Sequence, residues 1–350
     1  MSKILLAVVG VFLALVTAEA ALRLFVPVTT IKWRDDPVVG RRLKANQSGM
    51  FVAPSGEYKT PITVNSQGFR DSEHSFQKPG GTKRVLILGD SFVENFQVPL
   101  EETFFKQLET GDGKLEIIPM GLGDSGTAQQ LILLKQYGLK YNPDIVLHFF
   151  FTGNDVKNNS PALMGDPHRP YFALENGELK KTPFKTLTST PAGKIKSLIK
   201  NNSRLAAFLF DAKGKLDRRK NSGVPVDYQV YVPEYTKEYN EAWEVTKKLI
   251  VETKNASEKA GAAYILVSLA NKEQLAPQIL PSGFDPEKPD TVLREFCEKE
   301  KMDCLFMLPF FKSFLADNKS LNTHHSRDGH WNEVGTTLAA KFLTQIFKNE

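Results

Sequence analysis

Cysteine is nearly absent from this sequence: Cys297 and Cys304 are the whole complement in 350 residues. A disulfide-stapled exported scaffold carries more, so the fold has to come from a buried core. Two unpaired small hydrophobes is the simpler reading of the pair. A bridge across a helix-to-strand turn is the alternative, and it needs Cα atoms about 5.5 Å apart. Charge of one sign is also scarce, since 45 Lys and Arg against 40 Asp and Glu leave a net +5. That balance tolerates phospholipid or acidic glycan. No basic stripe interleaved with aromatics and no recognisable nucleic-acid module is present, which sets nucleic acid aside as a partner. Internal repeats and low-complexity tracts are missing too. What remains, 41% apolar and 24% charged residues, is the composition of a globular chain with a core.

One long apolar run exists, at the very start. After Lys3, residues Ile4 to Val16 are apolar apart from one glycine, and Ala18-Glu19-Ala20 follows. A positive start, an apolar stretch of about 7–15 residues and an A-x-A site describe a cleaved export signal. Extending the run to Val28 gives instead the roughly 20 residues that cross a bilayer as an uncleaved anchor. Both readings put Trp33 onward outside the cytoplasm, secreted or held on an inner membrane facing the periplasm. The anchor is the preferred one.

Three parts follow from the pattern: residues 1–28 as anchor or signal, 29–82 as an extended arm, and 83–350 as the main domain. The arm is irregular and rich in Gly, Pro, Ser and Asn, with a strand ending in a turn over Thr63 to Phe69. From Lys83 strands and helices alternate. Apolar runs at Arg84–Leu88, Leu115–Ile118, Pro143–Phe151, Tyr264–Leu269 and Cys304–Leu308 read as strands buried on both faces. Helices are expected near Glu101–Leu108, Ala128–Tyr137, Tyr235–Ala260 and Glu333–Phe347. Such βα repetition implies an α/β fold, a parallel sheet covered by helices on both faces. An insertion at 157–232, with one basic helical stretch over Gly193–Asp211, interrupts the rhythm and is expected to fold over the sheet's edge as a lid.

In an open parallel sheet, ligands bind at the carboxyl ends of the strands. Gly89-Asp90-Ser91 follows the first strand, Gly121-Leu122-Gly123-Asp124 the second and Gly153-Asn154-Asp155 the third, while Asp328-Gly329-His330 lies just before the last helix. A serine hydroxyl needs an adjacent base, and a histidine needs a carboxylate to fix its tautomer. A developing oxyanion needs preorganised donors. The roles fall on Ser91 as nucleophile, His330 as base and Asp328 as its orienter, with Ser91 N–H, Gly123 N–H and the Asn154 amide as the oxyanion hole. Gly121 is the fallback for Gly123. This chemistry requires no metal and no organic cofactor.

The run Val85 to Phe92, the second-strand glycine, Gly153-Asn154-Asp155 and the late Asp/His pair resemble the SGNH (GDSL) hydrolase family from about Arg84 onward. The resemblance implies a three-layer flavodoxin-like fold with about five parallel strands. It also implies action on esters of lipids or envelope carbohydrate, or transfer of acyl groups to sugar hydroxyls. The family usually has Asp three residues before the histidine; here Arg327 fills that slot, and the role passes to Asp328 in a D-x-H-W-N variant. The arm motif Asn65 to Arg70 is similar to one in membrane-anchored bacterial members. A non-catalytic glycan-binding module that kept the motif is the reading from another class.

Competing signals are weaker. Gly121 to Gly126 matches the dinucleotide pattern G-x-G-x-x-G, but Asp144 begins the following strand where an acidic residue should end it. His324, His325, Asp328 and His330 fit no common zinc spacing, and His324 and His325 are expected in loops. His148 reads as a satisfied core histidine, and Asp90 and Asp155 as capping or loop carboxylates.

Overall fold

The protein is described by a computed structural model for residues 2–109, 114–219 and 224–348. Five parallel strands form its centre: β5 (Lys83–Gly89), β6 (Leu115–Gly121), β7 (Ile145–Phe150), β10 (Ala263–Ser268) and β11 (Cys304–Phe306), in the order β11-β10-β7-β5-β6. Successive side chains of a strand point to opposite faces, and the two faces have separate cores. Leu86, Leu88, Ile118, Val146 and Phe150 pack with Leu133 and Leu134 of helix Thr127–Gln136, Trp243 and Ile250 of helix Lys237–Lys259, and Leu293 of helix Lys288–Glu300. Val85, Ile87, Ile117, Leu147 and Phe149 pack with Phe104 and Phe105, Phe311 and Leu343. Those last residues lie on helices Phe104–Glu109, Met307–Asp317 and Glu333–Lys348. The result is a three-layer α/β/α fold with five parallel strands, as expected.

Three local readings are corrected. The last strand stops at Phe306 instead of Leu308, and Met307 opens an eleven-residue helix. Met307, Leu308 and Phe311 are apolar at helical spacing and all three are buried, so one short apolar run serves two elements. Cys297 and Cys304 are not free: they form a disulfide with Cα atoms 6.3 Å apart, joining a helix to the edge strand that follows it. The basic stretch of the insertion is two helices, Pro191–Asn202 and Arg204–Arg219, broken at Ser203.

The arm consists of two antiparallel hairpins, β1 (Trp33–Asp36) with β2 (Gly40–Leu43) and β3 (Gln47–Val52) with β4 (Lys59–Val64). Its small core of Ile31, Leu43, Ile62 and Val64 is completed by Phe96 of the main domain. Beyond it, Asn65 Oδ1 accepts hydrogen bonds from the N–H groups of Gln67 and Phe69, and Gly68 takes the left-handed φ of 82° that closes the turn. Arg70, buried, then donates to the carbonyls of Asn95 and Val98. The arm is thereby tied to the segment behind Ser91.

The insertion divides. A third hairpin, β8 (Phe172–Glu175) with β9 (Glu178–Lys181), packs Phe172 and Leu179 against Leu249 on the helix Lys237–Lys259. The helix pair Pro191–Arg219 packs instead on the N-terminal helix Lys3–Phe25. Lys157 and Asp227, near the two ends of the insertion, line the cavity at the strand ends.

Candidate active site

Strand β5 ends on Gly89, where a side chain has no room: an added Cβ falls 2.4 Å from Val93 Cγ2 and 3.1 Å from Phe149 Cβ. Asp90 follows, and its Oδ1 accepts from Phe92 N–H at 2.9 Å, capping the short helix Ser91–Glu94. Ser91 therefore starts a helix at the rim. Across the rim, Gly329 takes a φ of 85°, which reverses the chain between Asp328 and His330. His330 is held from behind by Trp331, fully buried against Phe92, Phe104 and Phe311.

Ser91 Oγ lies 2.7 Å from His330 Nε2, and His330 Nδ1 lies 2.5 Å from Asp328 Oδ1. Burial opposes charge on Asp328, but hydrogen bonding to His330, the charge of His330 and the Tyr58 hydroxyl hold its carboxyl below the usual value. An anionic Asp328 requires Nδ1 to carry the proton, which leaves Nε2 free to accept one from Ser91. All three residues line a cavity of about 630 Å³, together with Gly123, Asn154, Trp33 and Arg41.

The expected oxyanion donors differ in state. Asn154 Nδ2 donates one hydrogen to Asp90 Oδ2 at 2.7 Å, and an amide nitrogen carries a second. Gly123 lines the cavity with the Glu94 carboxylate beside it, where an added Cβ would fall 2.6 Å from Glu94 Oε2. Gly121 is directed elsewhere: a Cβ there falls 2.1 Å from Glu94 N, so this glycine allows the helix Ser91–Glu94 to sit on β6. Burial pushes Glu94 up to about 7, against the Gly123 N–H and the charges of Arg41 and Arg70.

Beneath the rim, carboxylates and a histidine have structural partners. Asp155 accepts from Phe151 N–H at 2.7 Å and from Gln130 at 3.1 Å; burial and the charge of Asp90 raise its pKa well above the ordinary value. Gln130 Oε1 meets His148 Nε2 at 2.6 Å, and Tyr264 meets His148 Nδ1 at 2.7 Å. Burial lowers His148 to about 3, so it is neutral. His324 is a loop residue but a buried one, bonded to Thr323 and the Ala270 carbonyl, and burial lowers it to about 3 as well.

Two residues of the site had no signal in the sequence. Glu57, in the turn between β3 and β4, accepts from Ser326 Oγ at 2.8 Å, Arg327 N–H at 3.0 Å and Asp328 N–H at 2.7 Å. Tyr58 packs against His325 with ring centroids 4.6 Å apart and planes tilted by 32°. The arm therefore grips the loop that carries Asp328, from 271 residues away. Periodicity and local motifs cannot show a contact of that range.

No family model and no curated protein matches this sequence. Solved structures do. A member of the lipolytic G-D-S-L family from Veillonella parvula matches with a TM-score of 0.43 and 10% identity, covering 77% of this chain and all of the other. An acetyl xylan esterase matches with a TM-score of 0.41 and 14% identity over 75% of this chain and 98% of that one. A G-D-S-L lipolytic protein from Desulfitobacterium hafniense matches with a TM-score of 0.41 and 12% identity, over 76% and 99%.

Proposed function

We propose that this chain is a serine-dependent ester hydrolase of the SGNH (GDSL) type, held at a membrane by its first helix. The observation that carries the reading is the chain of contacts Ser91 Oγ to His330 Nε2, 2.7 Å, and His330 Nδ1 to Asp328 Oδ1, 2.5 Å, on one cavity wall. His330 takes the Ser91 proton as Oγ attacks the acyl carbonyl, and Asp328 stabilises the imidazolium. The Ser91 N–H, the Gly123 N–H and the second Asn154 hydrogen hold the oxyanion. His330 then protonates the leaving alcohol. Water, deprotonated by the same imidazole, cleaves the Ser91 ester and returns the free serine.

The cavity wall is polar and aromatic together, with Trp33, Phe51, Glu94, Asp124 and Asn154, which suits an acylated carbohydrate better than a long acyl chain. A sugar hydroxyl in place of water turns the same steps into acyl transfer. Membrane attachment is supported by the helix Lys3–Phe25, whose mean hydropathy is 2.4 over an 18-residue window and none of which is buried in the fold. The Cys297–Cys304 disulfide suits an oxidising, extracytoplasmic compartment.

A fluorophosphonate probe applied to the full chain in detergent tests the reading. Wild type is expected to label, and Ser91→Ala and His330→Ala are expected not to. An unlabelled wild type that also releases no acetate from acetylated oligosaccharide ends the hydrolase reading in favour of a binding module. Acetate appearing only on an added glycan acceptor selects transfer.

A further inference from the structure

Among the described residues, the large apolar side chains that are more than half exposed lie in two neighbouring places. Outside the helix Lys3–Phe25 they gather on the helix pair of the insertion, where Leu198 is 65%, Phe208 60%, Ile195 59% and Leu209 56% exposed. Single exposed hydrophobics are ordinary, but a group of them marks a surface that something covers. Ile195, Leu198 and Ile199 follow the i, i+3, i+4 spacing of one helix face. The second helix continues the patch, since Lys196 Nζ lies 5.7 Å from the Phe210 ring across the pair. Charge runs one way here. Between Pro191 and Phe210 stand Lys194, Lys196, Lys200 and Arg204, with no acidic residue.

The covering is indicated by where the pair is held. Glu19 on the N-terminal helix accepts from Ser203 Oγ at 2.9 Å, Arg204 N–H at 3.1 Å and Leu205 N–H at 2.9 Å, capping the second helix of the pair. Arg23 bonds Glu19 and donates to the Asn202 carbonyl at the end of the first helix, both at 2.6 Å. Arg204 returns a bond to the Val26 carbonyl at 3.0 Å. The break at Ser203 is thus gripped by the last two turns of the N-terminal helix. Glu19 precedes the end of that helix by six residues, which is about 9 Å along the axis. Amphipathic helices on a bilayer rest about 5–10 Å into the headgroup boundary, so the grip holds the patch at that depth.

We propose that the helix pair Pro191–Arg219 is a second membrane contact, lying in the headgroup layer of an anionic bilayer beside the N-terminal helix. Its apolar face enters the acyl boundary and its lysines meet lipid phosphate. The inference rests on the reading of Lys3–Phe25 as an anchor. With two contacts joined by Glu19 and Arg23, the catalytic domain has a set orientation to the membrane instead of swinging on one tether.

The full chain, carrying an environment-sensitive fluorophore on a cysteine placed at Leu198, Phe208 or Leu13 in turn, is reconstituted into vesicles of phosphatidylcholine and phosphatidylglycerol. Spin-labelled lipids quench either near the headgroup or at mid-chain. Labels at 198 and 208 are expected to shift to the blue and lose most of their emission to the shallow quencher, and the label at 13 to the deep one. A quenched label at 13 with aqueous, unquenched emission at both 198 and 208 overturns the inference and leaves the anchor standing. Aqueous emission at all three positions removes the anchor reading, and the second contact with it.

Discussion

Two amphipathic helical regions of this protein are alike in pattern and opposite in use. In helix Lys237–Lys259 the apolar stripe is buried, with Tyr239, Ala242, Trp243 and Ile250 in the core on the sheet and Leu249 under the β8–β9 hairpin. In the pair Pro191–Arg219 the stripe of Ile195, Leu198 and Ile199 faces out. Helical spacing of apolar residues says that a face wants covering, and it is silent on whether protein or lipid covers it. The difference comes from neighbours. The first region lies on strands β7 and β10, whose apolar faces it covers, and the second is clamped to a helix that is itself uncovered.

Substitutions in each region test that contrast, and the largest effect is chemical. Asp328→Asn is expected to lower turnover of a soluble ester by roughly 10³–10⁴-fold, because the imidazole loses its tautomer-fixing carboxylate. Its unfolding midpoint should barely change; an unaltered rate would move the carboxylate role elsewhere. On the same soluble ester, Leu198→Glu with Phe208→Glu is expected to leave turnover at the wild-type level, which separates the outward region from the site. Trp243→Ala, emptying a buried position against Phe150, is expected to cost about 3–5 kcal/mol in chemical denaturation. The matching Leu198→Ala should stay within about 0.5 kcal/mol in detergent, and a larger loss there would mean that protein covers the patch.

Glu94 gives a pH-dependent test of the buried region. Its carboxyl is raised from 4.5 to about 7, first by burial, so it is neutral in both folded and unfolded chains at low pH and costs nothing there. As pH rises from 4.5 to 7 the unfolded chain ionises first, and stability falls by roughly 3 kcal/mol. Glu94→Gln should remove that part of the slope; an unchanged slope over the window would assign it to another group. The last test concerns the arm. Glu57→Ala frees the Asp328 loop and is expected to lower kcat about tenfold with KM little changed, while Glu57→Gln, which keeps an acceptor, recovers most of it. Equal losses in both variants would point to charge instead of hydrogen bonding.

Much of the main domain was legible in the sequence. Val85 to Leu88 and Ile145 to Phe150 are unbroken apolar runs, and a strand buried on both faces needs apolar side chains at every position. Met307 and Leu308 open a helix where the sequence suggests the end of a strand, since a short apolar run suits a buried strand and a buried helix equally. The rim positions were legible because glycine, serine and asparagine directly after a strand are where close backbone approach and exposed chemistry belong. The approach of the Glu94 carboxylate to Gly123 was not, for it depends on a side chain 29 residues earlier turning inward.

The sequence by itself determined the alternation of elements, the parallel sheet and the four rim segments, because periodicity and strand-end residues are local and follow from the chain's own stereochemistry. Only the tertiary structure decided the rest. It brought Ser91, His330 and Asp328 within hydrogen-bonding distance, set Glu57 against the Asp328 loop and gripped Ser203 with Glu19. Each of these contacts except His330 with Asp328 joins residues more than 180 positions apart. Contacts of that range arise from the packing of whole elements, whose geometry no single segment encodes.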